Sequence, residues 1–253
     1  MATLTAKHEI TWEKLPKDFI LPDDPVDNIN QPALAAALTD SLEAGGIVTP
    51  KTLTITNYGI CATLNGKTVV KAPDWGYIAN ISTTREEVIR SYTPHLQGEI
   101  PTIVMEFLSD SEGGEYSTKP TYPPGKWFFY EQVLQVPCYA IFDCEATALG
   151  VPREGALEVY RLDKSKQYQL QKPDNNGRYW IEGMNLYLGV WEGTRERRRG
   201  YWLRWWNEDG ELLLWSLELA QREKQRADLE RQLASEEDRL LQQLRAAGLE
   251  PEE

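Results

Sequence analysis

From Ile103 to Leu108 the chain reads Ile-Val-Met-Glu-Phe-Leu, an apolar run with one acid inside it. Such a run suits a strand covered on both faces. Tyr139 to Phe142 repeats the pattern and ends at Asp143. Between the two, Phe129, Val133 and Leu134 give an apolar stripe, and Lys126 and Tyr130 are four apart, on one helix face. Pro123 and Pro124 predict the helix start, because proline lacks only a donor that the first turn leaves unused, and Pro137 predicts its stop. The unit is strand, helix, strand. A crossover of this length joins parallel neighbours with right-handed sense.

The rest of the pattern builds around that unit. Glu9 to Trp12 reads as a short strand, and the prolines and aspartates from Pro16 to Asp27 as a loop. Pro32 to Glu43 reads as a helix, with Leu34, Ala37, Leu38 and Leu42 on its core face, Asn30 or Gln31 near the N-cap and Gly45-Gly46 closing it. Strands are expected at Leu53–Thr56, Tyr58–Leu64, Lys67–Lys71 and Gly76–Ile81. Asn65-Gly66 is a hairpin signal, since both residues tolerate positive φ. Asp74 follows Pro73 where one strand gives way to the next. Thr83 to Tyr92 suggests a short helix with Glu86 and Glu87 in its first turn.

Beyond Asp143 the pattern turns antiparallel, with short aromatic strands at Leu157–Leu162, Tyr168–Gln171, Tyr179–Glu182, Leu186–Glu192 and Tyr201–Trp206. Trp180, Trp191, Trp202, Trp205 and Trp206 crowd this region; sheet packing explains them better than stacking on sugars or bases. From about Glu211 the chain has neither Gly nor Pro until Gly248. Leu229, Leu233, Leu240 and Leu244 recur at helical spacing, interrupted by Glu236 and Glu237. This predicts an amphipathic helix of roughly 30 residues, about 45 Å long, either self-associating as a short coiled coil or docked on its own domain.

The length of 253 residues and 41% hydrophobic content supply a sizeable core, and no apolar run approaches a membrane span. The segment with His8, Glu9 and Glu13 lacks a cationic, apolar signal pattern, and the three cysteines (Cys61, Cys138, Cys144) have no metal-ligand spacing, so a cytoplasmic protein with reduced thiols is expected. The net charge is −12, of which the body before Trp215 carries −8. This weighs against a general nucleic-acid binder, which normally shows a basic surface.

Asp74, Glu106 and Lys126 are the candidate chemistry. Singly they read as a turn residue, a satisfied structural acid and a solvated lysine. Together, two carboxylates from neighbouring strands suit Mg²⁺, which takes one or two carboxylates plus water and phosphate, and a lysine beside them could offset charge on a reacting phosphoryl group.

At these residues the chain resembles the Uma-two-type restriction endonucleases of the PD-(D/E)XK nuclease superfamily. The likeness runs from about Asp24 to Glu252. It is carried by Ala72-Pro73-Asp74, Ile103 to Ser109, Lys126-Trp127-Phe128-Phe129-Tyr130, Val136 to Asp143, Leu157 to Leu162 and the charged tail ending Leu244 to Leu249. The resemblance implies a restriction-endonuclease-like α/β fold: a mixed β-sheet core flanked by helices, with an antiparallel β extension and a long C-terminal helix. It implies Mg²⁺- or Mn²⁺-dependent phosphodiester hydrolysis, with Asp74 and Glu106 as metal ligands. The superfamily lysine normally lies two residues after the second acid, but that position is Leu108. The lysine is then Lys126, on the following helix, with Tyr130 one turn on. Lys119 is a rival for the lysine and Glu115 for an extra acid; Glu43 or Gln31 would lie nearby on the first helix. Tyr122 stands where many relatives carry an acid four residues before the lysine.

The expectation is a nuclease domain over 1–210 and a C-terminal helix over 211–253, in a homodimer acting on nucleic acid, DNA first, with two sites facing a two-fold axis and no membrane association. The rivals are a non-catalytic protein-interaction scaffold with a nuclease-like fold, favoured by the acidity, and a sugar-binding module using the tryptophans. A basic groove built from Lys119, Lys126, Arg195 and Arg197–Arg199 would support the first; the arginine run alone reads as a solvated loop.

Overall fold

Alternation along the central strands sorts their side chains into two cores, one on each face of a sheet. The structure, a computed structural model, describes residues 29–108, 114–143 and 157–247. Its elements in order are α1 (Gln31–Ala44), β1 (Leu53–Ile55), β2 (Ile60–Leu64), β3 (Lys67–Lys71), β4 (Trp75–Ile78), β5 (Ile103–Phe107), α2 (Lys126–Phe128), which runs into a π-helical segment at Phe129–Leu134, β6 (Cys138–Phe142), β7 (Leu157–Leu162), β8 (Tyr168–Leu170), β9 (Arg178–Ile181), β10 (Leu186–Arg195), β11 (Arg198–Trp206) and α3 (Ser216–Ala246). The expected strand at Glu9–Trp12, the loop from Pro16 to Asp27, Ser109, Cys144 and Gly248 lie outside the described residues.

Six strands form the main sheet, in the order β1-β4-β5-β6-β7-β8. β5 and β6 are parallel, as the helical crossover requires, and their other pairings are antiparallel. On one face Met105, Phe107, Ala140, Phe142 and Val159 join the core-facing side of α1 and a second sheet, β11-β10-β9. Trp75 packs there against Trp205, with ring centroids 5.8 Å apart. On the other face Val104, Tyr139 and Ile141 pack with the β2–β3 hairpin and the π-helical segment. The hairpin turns at Asn65-Gly66, both at positive φ, as predicted. This architecture is the mixed α/β, restriction-endonuclease-like fold.

Three local expectations are corrected. Thr83–Tyr92 contains only a 3₁₀ turn at Glu86–Val88. The backbone of Tyr92 is drawn onto the edge of β2, bonding Gly59 and Cys61 at 2.9 and 2.8 Å, and an extended attachment is incompatible with continued helix. The crossover helix starts at Lys126, not at the prolines, because Gly125 is extended and its N–H bonds the Lys119 carbonyl at 2.9 Å, closing a loop. It ends at Gln135, left-handed at φ 56°, two residues before Pro137. The Arg197–Arg199 run is a hairpin rather than a loose loop: Glu196 and Arg197 turn at positive φ between β10 and β11. Of the crowded tryptophans, Trp202, Trp205 and Trp206 are buried, while Trp180 and Trp191 are half-buried against Tyr187 and Trp215.

Candidate active site

β4 and β5 deliver the two acids. They pair antiparallel with Trp75 opposite Met105. Continuing that register by one residue sets Asp74 opposite Glu106, on the face that carries Val104. The Phe107 N–H donates to Asp74 Oδ2 at 2.6 Å, fixing the aspartate beside the strand end. Glu106 is fully buried. Lys126 donates to its Oε2 at 2.7 Å and the Tyr130 hydroxyl to its Oε1 at 3.0 Å. The four-residue spacing of Lys126 and Tyr130 therefore does what the helix face implied, although the turn passes from α to π between them.

Burial pushes the Glu106 carboxyl up to about 8; Asp74 pushes the same way, and Lys126 and Tyr130 pull back. For Lys126 burial acts downward, but Glu106, with Asp74 and Glu115 adding, outweighs it and holds the ammonium above its ordinary value. Both groups thus hold their protons more tightly than in water. Burial, and then Glu106, keep the Tyr130 phenol far above its usual range, so it remains a donor. The Lys126 side chain is 28% exposed, so the site opens to solvent on the lysine side.

The accessory candidates divide. Glu115 lies in a 3₁₀ turn at Gly114–Tyr116. Its Oε2 is buried and has no hydrogen-bond partner among the described residues, its carbonyl accepts from Tyr139 at 2.9 Å, and its charge acts on Lys126. Lys119 is exposed, and its charge acts on Lys71. Gln31 approaches from α1, its amide donating to the Phe107 carbonyl at 2.8 Å. Glu43 is exposed near the far end of α1. Arg195 is not part of the site: it pairs with Asp40 at 3.2 Å and with Glu196 at 2.7 Å, and lies over Trp215. Arg198 bonds the Ile29 carbonyl. Arg195 and Arg198 are thus engaged away from Lys126 and do not extend a basic groove from it. The sequence reading missed Lys71, whose ammonium is held down by burial and by Lys126, with Lys119 adding and Glu106 opposing. The signal was present: Lys71 shares the face of buried Val69 on β3.

Residues 26–196 match the Uma2 family, described as putative restriction endonuclease. The chain belongs to that family. Comparison with curated proteins gives no match. The match spans every residue of the site and ends at the β10–β11 turn, so β11 and α3 lie beyond it. Within the Uma2 match, Leu108 follows Glu106 by two on the same face and packs against the core that holds Val104, Tyr139 and Ile141. The ammonium that reaches Glu106 comes instead from Lys126, on the crossover. No helix among the described residues is long and apolar enough to cross a membrane.

Proposed function

We propose that this protein is an endonuclease that hydrolyses nucleic-acid phosphodiester bonds, DNA first, with Mg²⁺ or Mn²⁺ held by Asp74 and Glu106. On this reading the nuclease unit spans residues 1–210, and residues 211–253, which include α3 (Ser216–Ala246), are an appendage to it. The observation that carries the reading is the meeting of two opposed carboxylates with the Lys126 ammonium, 2.7 Å from Glu106. The donor set fits such an ion. Two neighbouring acids are what Mg²⁺ takes from protein, and the rise that Asp74 imposes on Glu106 is a repulsion that a cation relieves. No group of three or more His, Cys, Asp or Glu able to hold a metal occurs among the described residues, so water and substrate phosphate must complete the shell. Such an ion supplies Lewis-acid polarisation of a phosphoryl oxygen and of the attacking water. Lys126, and Lys71 behind it, offset negative charge building on the phosphate. Tyr130 and the Phe107 N–H orient the two carboxylates.

Calorimetric titration of Mn²⁺ into the wild type and Glu106→Ala, with and without a short DNA duplex, tests this reading. The wild type should bind and the variant should not. Plasmid cleavage should disappear in Glu106→Ala and in Lys126→Ala. A wild type that binds no metal even with DNA present would sink the proposal. It would leave the non-catalytic scaffold, which two observations favour: both Glu106 oxygens already have partners, and the net charge is −12.

A further inference from the structure

The acids of this chain are unevenly spread. Of 39 in all, none lies in residues 44–73 or in residues 116–130, and these two stretches carry Lys51, Lys67, Lys71, Lys119 and Lys126. The fold brings the stretches together. β2 and β3 form a separate two-stranded sheet, and the loop before the crossover touches β3. The Tyr122 hydroxyl donates to the Thr68 carbonyl at 3.3 Å, and the Lys67 ammonium lies 5.0 Å from the centre of the Tyr122 ring. At the other end of β3 the charges of Lys126 and Lys119 both act on Lys71. Lys67 and Lys71 share the β3 face that carries Val69. Lysines thus run from Lys126 on Glu106, through Lys71 with Lys119 in electrostatic reach, to Lys67 beside the Asn65-Gly66 turn.

These lysines lack compensation. Lys67, Lys71 and Lys119 make no ion pair among the described residues; Lys126 alone of the lysines does so there, with Glu106. The acids that bound the two stretches are engaged elsewhere. Asp74 and Glu115 act on Lys126 at the site itself. Glu131 accepts from the Tyr168 N–H at 2.7 Å and from Gln132 at 2.9 Å. Glu43 sits on α1, which packs on the opposite face of the main sheet from the hairpin. Gathering like charges costs energy, and no described acid outside the site offsets it; an anion of repeating charge would. Lysine is a compact point charge that suits phosphate. From Lys67 to Lys71 is about 13 Å of strand, the axial length of roughly four nucleotides. The acidity of the rest of the body repels a polyanion, so a nucleic acid is steered to this one face.

We infer that the Lys67–Lys71 face of β3 and the loop at residues 117–125 form the surface along which a nucleic-acid strand lies as it enters the site, its backbone phosphates on Lys67, Lys71 and Lys119. The inference rests on the nuclease reading for the chemistry at Asp74 and Glu106, but its test does not use the metal. Fluorescence anisotropy of a short labelled DNA duplex, in EDTA at low salt, measures binding by the full chain. The wild type should bind, with affinity falling steeply as salt rises. Lys67→Glu and Lys119→Glu should each weaken binding roughly tenfold and make the slope of affinity against salt shallower by about one or more. Lys172→Glu, the same charge change at an exposed lysine just past β8, should leave both nearly unchanged. Mn²⁺ titration without DNA reports the metal site separately: a chain that binds DNA through these lysines but takes no metal sinks the nuclease reading and leaves the surface standing. A wild type that does not bind DNA overturns the inference. So does a Lys67→Glu or Lys119→Glu chain that binds as well as the Lys172→Glu chain.

Discussion

Glu106 is the residue on which the site turns, and its protonation is tied to the fold. Its folded pKa, about 8, lies above the ordinary 4.5, so folding favours the protonated acid. That contribution is fully present below the ordinary value and is lost as pH climbs through about 8. The groups facing Glu106 are Asp74, Lys126 and Tyr130, and neither Lys126 nor Tyr130 titrates in that window. In the absence of divalent metal, unfolding free energy from urea titrations should therefore fall by roughly a few kcal/mol between mildly acidic and mildly alkaline pH. Glu106→Gln should flatten the slope. Equal slopes in the two proteins would show that burial does not hold a proton there. The pair Asp74 and Glu106 was legible in the sequence, because an acid in an apolar run must have a purpose. Lys71 was legible only by its alternation with Val69 on β3, a signal that any solvated strand lysine can share.

At the scale of elements, the short turn carrying Lys126 depends on Gly125. Its backbone is extended, with ordinary negative φ, so conformation alone does not demand glycine. Packing does: a Cβ there would strike the backbone carbonyl of Ser117. Gly125→Ala must push the turn outward, and Lys126 moves with it. Cleavage should drop on the order of a hundredfold, as misplacement by about an ångström can cost, with loss of about 1–3 kcal/mol of stability as for other overpacked sites. Kinetics and denaturation on the same preparation would separate the two effects; unchanged cleavage would mean that the lysine's position is set elsewhere. The parallel β5–β6 pair and the Asn65-Gly66 hairpin could be read ahead of the structure, since local chemistry decides both. The Thr83–Tyr92 segment and the π-helical segment could not, because the edge of β2 and the closed loop at Gly125 override local preference.

At the scale of the whole molecule, the second sheet, α1 and the start of α3 meet at Arg204. This arginine is fully buried, paired with Glu218 and stacked 3.5 Å over the Trp215 ring. The long polar helix was legible from its leucines and charges; its anchor was not, because an arginine among tryptophans on a strand gives no sign of being enclosed. Two truncations separate the anchor from the rest of the helix. A chain ending after Arg222 keeps Glu218 and should unfold within a few degrees of the full chain. A chain ending at Trp215 strands the buried guanidinium and should lose about 3–5 kcal/mol. Thermal melts of the two chains, compared with the full one, decide it; similar melts for both would show that Glu218 is dispensable.

The ammonium at the site is carried by the crossover, while both acids are fixed by the sheet. β5, which bears Glu106, is paired along both of its edges and cannot shift without breaking the core. Lys126 opens the helical crossover, which continues through buried Tyr130 to Leu134, behind the loop that Gly125 closes. On the proposed reading, the charge that Lys126 brings to the phosphate is therefore withdrawn by a shift at the start of the crossover. A change that pushes residues 119–125 outward would then lower turnover while the two acids on the sheet stay in place.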